Sequence, residues 1–188
     1  DGEGADADAF ENVCTLRAAE IIAQILQKRP DDADLQYFAG KLFLKIDQRE
    51  EARSHLERAK ALDPNNAEVR FLLGQLYESD TPEVAIAEYK QSAELGNTKL
   101  ELLLKLAETY RQEKNFEKFQ EVAQQILVLD PNQPEIHYEL ANFYDEQSYR
   151  KKQAGEADEA KKKFNLAIEH ADKAAKLAPN VARYQLKL

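Results

Sequence analysis

Apolar residues recur three and four positions apart through most of this chain, and no segment alternates with a period of two. That spacing predicts amphipathic helices and no sheet. Between residues 10 and 25 one such face reads Phe10, Val13, Cys14, Ala18, Ile21, Ile22 and Ile25. Recognisable stops separate the helical runs. Asp63-Pro64-Asn65 and Asp130-Pro131-Asn132 each end one, because proline cannot continue a helix and biases the residue before it away from the helical region. Thr81-Pro82 reads as an N-cap followed by proline at the first helical position, and Gly96-Asn97 as a C-terminal stop.

The two Asp-Pro-Asn stops lie 67 residues apart, close to two periods of 34. Self-similarity at a fixed period of that size marks a helical repeat. Segment 33–66 carries Gly40, Phe43, Ala52, Leu56 and Ala59 at places 8, 11, 20, 24 and 27. Segment 67–99 repeats them as Gly74, Tyr77, Ala85, Tyr89 and Ser92, one residue short in its turn. Segment 100–133 gives Ala107, Tyr110, Phe119, Ala123 and Ile126, with the large and small residues exchanged at places 20 and 24. Glycine inside a helix costs about 1 kcal/mol against alanine. Gly40 and Gly74 therefore point to close approach of paired helices, with Leu56 or Tyr89 filling the gap.

These segments resemble the tetratricopeptide repeat family, a helix–turn–helix of 34 residues. The resemblance implies an all-α, right-handed α-solenoid and a protein–protein adaptor or assembly scaffold rather than an enzyme. It divides the chain into an acidic mobile N-terminus at 1–9, a capping helix at 10–30, repeats at 33–66, 67–99, 100–133 and 134–180, and the start of a further or capping helix at 181–188.

The fourth repeat is too long. From Ala141 to Ala167 is 26 residues where twelve are expected, and the excess of fourteen splits into two sevens around Gly155. Seven residues are close to two helical turns, so each arm of this last hairpin should lengthen by roughly 10 Å. Ala160, Phe164 and Ala167 repeat the small–large–small pattern there. The segment 150–188 holds ten Lys/Arg and five Asp/Glu, which leaves 1–149 at −14. Arg150, Lys151, Lys152, Lys161, Lys162 and Lys163 flank the turn. A solvated helix end accounts for such a run, and a basic knob for an acidic partner, a membrane or nucleic acid is the alternative.

In the family, the first helix of each repeat lines a concave groove, and ligand contacts come from places two, five, nine, twelve and thirteen. Carried onto this chain, place five reads Tyr37, Phe71, Leu104 and Tyr138. Place two reads Asp34, Glu68, Glu101 and Glu135, and place nine Lys41, Gln75, Glu108 and Asn142. Aromatic residues dominate binding hot spots, and a row of carboxylates steers basic segments in. The expected ligand is an extended or helical peptide with apolar anchors and basic residues. Family members that grip the acidic tails of chaperones use cationic groove residues. Here only Lys105 fits that pattern, and Glu101 opposes an incoming carboxylate.

Composition narrows the function further. The net charge of −9 argues against nucleic acid as a general ligand, and no apolar run reaches the 18 residues of a membrane span. Cys14 is alone, and on an apolar face it reads as a buried inert thiol. His55, His137 and His170 lack a neighbour at ligand spacing, and no glycine-rich phosphate loop occurs. No cofactor, metal or catalytic group is expected. A soluble protein is expected, in the cytoplasm by preference, with self-association through exposed end helices open to it. The absence of an initiating Met leaves the reading of a regulatory or targeting fragment of a larger enzyme.

Overall fold

The structure is a computed structural model that describes residues 2–185, with side chains from residue 13 onward. Among the described residues there are nine α-helices, one short 3-10 turn and no strand. They fall into two compact units, 1–98 and 99–188. The first holds α1 (Gly2–Leu26), α2 (Ala33–Lys45), α3 (Arg49–Leu62), α4 (Ala67–Tyr77) and α5 (Pro82–Glu94). The second holds α6 (Leu100–Gln112), α7 (Phe116–Leu129), α8 (Pro134–Gln153), α9 (Ala157–Leu177) and the turn at Ala182–Tyr184. Within each unit, successive helices pack as neighbours.

The helix ends follow local chemistry. Asp32 caps α2 by accepting the Leu35 amide at 3.0 Å, and Asn66 caps α4 by accepting those of Glu68 and Val69 at 3.1 Å. Pro82 and Pro134 open α5 and α8, where their missing amide costs nothing. Asp63 and Asp130 leave their helices in extended backbone. Each carboxylate then accepts the amide two residues on, from Asn65 at 3.1 Å and Asn132 at 2.9 Å. Gly96 ends α5 at a φ of 90° and Gly155 turns α8 into α9 at 79°.

Helix pairs close on small residues. A Cβ placed on Gly40 would stand 2.5 Å from Leu56 Cγ, and one on Gly74 would stand 2.5 Å from Tyr89 Cε1. Ala52, Leu56 and Ala59 are sealed against α2, while Ala85, Tyr89 and Ser92 are sealed against α4. In α6 and α7 the exchanged pair is buried too, with Phe119 at 2% exposure and Ala123 at 0%. The last hairpin is extended. Helix α8 has 20 residues against 13 in α6, and α9 has 21 against 14 in α7. Small residues at Ala160, Ala167, Ala171 and Ala174 hold α9 on α8. Phe164 stays 39% exposed, because the added turns face one helix only.

Three expectations change at the chain's ends. Residues 2–9 belong to α1. The face that α1 gives to α2 is Thr15, Ala19 and Leu26, not the more apolar stripe read from sequence. Close approach through threonine and alanine sets the rotation, and Val13, Leu16, Ile21 and Ile25 are left exposed. Cys14 is correspondingly exposed rather than buried. Segment 181–188, expected to begin a helix, forms a single 3-10 turn through Tyr184. Residues 186–188 and the side chain of Phe10 lie outside the described residues.

Candidate functional site on the first helices

In the first unit the candidate residues sit on α2 and α4. Asp34 and Lys41 are exposed and Tyr37 is half-buried between them. The Lys41 ammonium lies over the Tyr37 ring, 5.1 Å from its centre. Phe71 departs from expectation. It is 3% exposed, with its ring 5.9 Å from that of Tyr89. Gly74 lets α5 approach so closely that Phe71 becomes part of the helix contact and offers no ring to a ligand. Glu68 and Gln75 flank it, each half-buried.

In the second unit α6 and α8 present Glu101, Leu104 and Glu108 on one helix and Glu135, Tyr138 and Asn142 on the other. Leu104 and Tyr138 are half-buried, and Glu101, Glu108 and Asn142 are exposed. A cleft of about 320 Å³ opens there. Its floor is apolar, built from Leu104, Ala107, Phe119 and Ile136. Around it stand Glu108, Glu135 and Glu139, with Arg111 as the one cation and Gln133 at the edge. Burial holds the Glu139 carboxyl above the usual carboxylate range. Glu135 adds to that rise, and Arg111 opposes it. An apolar floor with three carboxylates, opposed by Arg111 and by Arg183 on Glu135, suits a cationic side chain with an aliphatic stem.

The carboxylate and ring at the start of α8 already have an occupant. Tyr184 is 4% exposed, and its ring lies 5.3 Å from that of Tyr138. Its hydroxyl donates to the Glu135 carboxylate, to which the Arg183 guanidinium is also ion-paired. Sequence spacing gave no sign of this fold-back. Glu139 and Ile136 were likewise missed, since neither stands at place two, five, nine, twelve or thirteen.

Half of the six cations at the basic tip of the last hairpin are paired with carboxylates. Arg150 pairs with Glu146, Lys151 with Glu156 and Lys162 with Glu159. Lys163 lies over the Tyr144 ring. Lys152 and Lys161 remain, beside the exposed Tyr149 and Phe164. Among the described residues, no group of three or more His, Cys, Asp or Glu could hold a metal ion. No helix among them is long and apolar enough to cross a membrane.

Two family models described as tetratricopeptide repeat match the chain, one over residues 15–76 and one over 100–143. The chain belongs to the tetratricopeptide repeat family, an all-α helical-repeat class whose members serve as scaffolds for protein–protein interaction and are generally not enzymes. No curated protein matches the chain. Among solved structures, MamA from AMB-1 superposes with a TM-score of 0.61 at 20% identity, over 94% of this chain and 91% of its own. YrrB, described as a TPR protein with an unusual peptide-binding site, gives 0.58 at 19% identity, over 88% and 96%. Identities this low show the fold alone.

Proposed function

We propose that this protein is an interaction scaffold whose first-helix face takes a peptide segment bearing basic side chains and apolar anchors. The cleft beside α6 and α8 carries the reading. A lysine or arginine stem would lie along Leu104, Ala107 and Ile136, with its charge among Glu108, Glu135 and Glu139. In the second unit exposed Glu101 on α6 adds to the same preference for cations, and in the first unit exposed Asp34 shows it separately on α2. Tyr138 is the aromatic contact of the second unit; in the first unit Tyr37 is the aromatic contact and Phe71 supports α4 from the core. The tetratricopeptide fold supports a protein or peptide as the ligand class, and YrrB's description supports a peptide.

Selection of peptides from a random library on the intact protein tests this. Enrichment of Lys or Arg beside Leu, Ile or Phe is expected. The Glu108→Gln/Glu139→Gln variant, with its circular dichroism unchanged, should bind the selected peptides about tenfold more weakly. Selected sequences that are acidic, or affinities indifferent to the two substitutions, would overturn the reading.

A further inference from the structure

The start of α8 holds a small recognition unit that is already filled. Arg183 lies beside a pair of touching rings, its guanidinium carbon 5.9 Å from the centre of Tyr138 and 4.9 Å from that of Tyr184. It donates to the Tyr184 hydroxyl at 2.9 Å and pairs with Glu135. Tyr184 in turn gives its own proton to Glu135. One carboxylate and one ring on α8 thus read two consecutive side chains. We propose that Glu135 and Tyr138 form a seat for an arginyl–aromatic dipeptide, which Arg183–Tyr184 of the same chain holds until a partner segment of that chemistry displaces it.

Side-chain chemistry makes the seat selective. A planar guanidinium can stack on a ring and donate in two directions at once, which an ammonium cannot do in the same pose. The seat is also exchangeable. The Arg183 side chain is 56% exposed and that of Glu135 is 44% exposed, and ion pairs so exposed hold weakly. The occupant is one three-residue turn, with Tyr184 as its buried anchor. Glu135 belongs to both the seat and the neighbouring cleft. A segment that displaces the turn therefore reaches the apolar floor in the same event.

Other repeats carry the same two places without an open seat. Asp34 and Tyr37 match in kind, but Lys41, four residues on, already covers the Tyr37 ring. Asn142 stands at the place equivalent to Lys41 in α8 and supplies no charge. Phe71 is buried, and Leu104 has no ring.

This inference rests on the peptide-face reading for the partner's route of entry, but it is tested apart from it. The probe is a synthetic decapeptide of residues 179–188, titrated into the full chain and followed by backbone NMR shifts at Glu135 and Tyr138. The Arg183→Ala/Tyr184→Ala variant should bind the probe at least tenfold more tightly than the unsubstituted chain. Adding Glu135→Gln should cancel most of that gain. A probe with lysine in place of Arg183 should bind several-fold more weakly than the arginine probe. Equal response of the vacated and unsubstituted chains, or no response from either with folding confirmed by thermal melts, overturns the seat. Equal binding of the lysine probe overturns its selectivity for arginine. Glu108 and Glu139 are outside the seat, so failure of the library experiment leaves this result standing.

Discussion

The Tyr89 ring lies so close to the α-carbon of Gly74 that a methyl group there would meet Cε1 at 2.5 Å and Cδ1 at 2.6 Å. A hydrogen rather than a Cβ at Gly74 is the condition for α4 and α5 to pack as they do. Gly74→Ala gains about 1 kcal/mol of helix propensity but forces overpacking that costs about 1–3 kcal/mol. A net loss of about 1 kcal/mol is expected in urea unfolding. Tyr89→Leu in the same chain should recover part of it, as a non-additive double-mutant cycle. Gly155→Ala gives a useful contrast, since nothing lies within 4 Å of its Cβ position and only the φ of 79° opposes it.

Glu88 ties three helices of the first unit together. It is 8% exposed and accepts from Lys60 and Arg70, each at 3.0 Å. Lys60 also reaches Glu57, which accepts the Tyr77 hydroxyl at 2.7 Å. Burial, and then that hydrogen bond, push the Tyr77 hydroxyl up to about 12. Removing Glu88 leaves partly buried Arg70 without its carboxylate and Lys60 with Glu57 alone. Glu88→Ala should cost about 2 kcal/mol, less than for a fully enclosed pair because Lys60 and Arg70 keep some solvent. The denaturation midpoint measures it, and Lys60→Met added to Glu88→Leu should restore much of the loss.

The repeat was legible because its signals are local. Gly40, Gly74 and the two Asp-Pro-Asn stops each have one physical meaning, and the period multiplies it. The lengthened last hairpin was legible for the same reason, since seven added residues keep the helical phase. What was hidden depends on which neighbour covers a face. Thr15 and Ala19 turn α1 toward α2, although Val13, Leu16 and Ile21 are the more apolar residues. Phe71 occupies a place that often faces ligand, but the nearness of Tyr89 buries it. Glu139 gains its character from a cleft made by the small side chain of Ala107 on another helix, and nothing within α8 announces that.

His137 and His170 form a neutral pair between α8 and α9. Their Nδ1 atoms are 2.8 Å apart, and His137 Nε2 faces the Pro131 carbonyl at 3.1 Å. With His137 donating from Nε2, its Nδ1 accepts the Nδ1 proton of His170. Burial lowers both imidazoles, His170 to about 4, with His137 and Lys173 acting in the same direction and Glu169 against it. A histidine depressed in the folded state takes up its proton more readily on unfolding. The stability it contributes is therefore present above the unfolded value near 6.5 and is lost as pH falls toward 4. The loss should be on the order of 2 kcal/mol. Urea midpoints of the protein and of His170→Gln should converge between pH 7 and pH 4.5, and a constant difference would refute the pairing.

Glu139 gives the proposed peptide face a pH signature of its own. Its carboxyl is raised by burial and by Glu135, against Arg111 and Arg183, so it keeps its proton to a higher pH than an exposed carboxyl does. A cationic side chain entering the cleft interacts better with the carboxylate than with the acid, and binding must then release a proton. By linkage, affinity for a basic peptide rises as pH rises through the Glu139 range and levels off above it. A several-fold gain between pH 4.5 and pH 7 is expected, with proton release seen as a buffer-dependent enthalpy in calorimetry. In Glu139→Gln most of that gain should disappear. If the substituted protein keeps the full pH dependence, the cation does not bind beside Glu139.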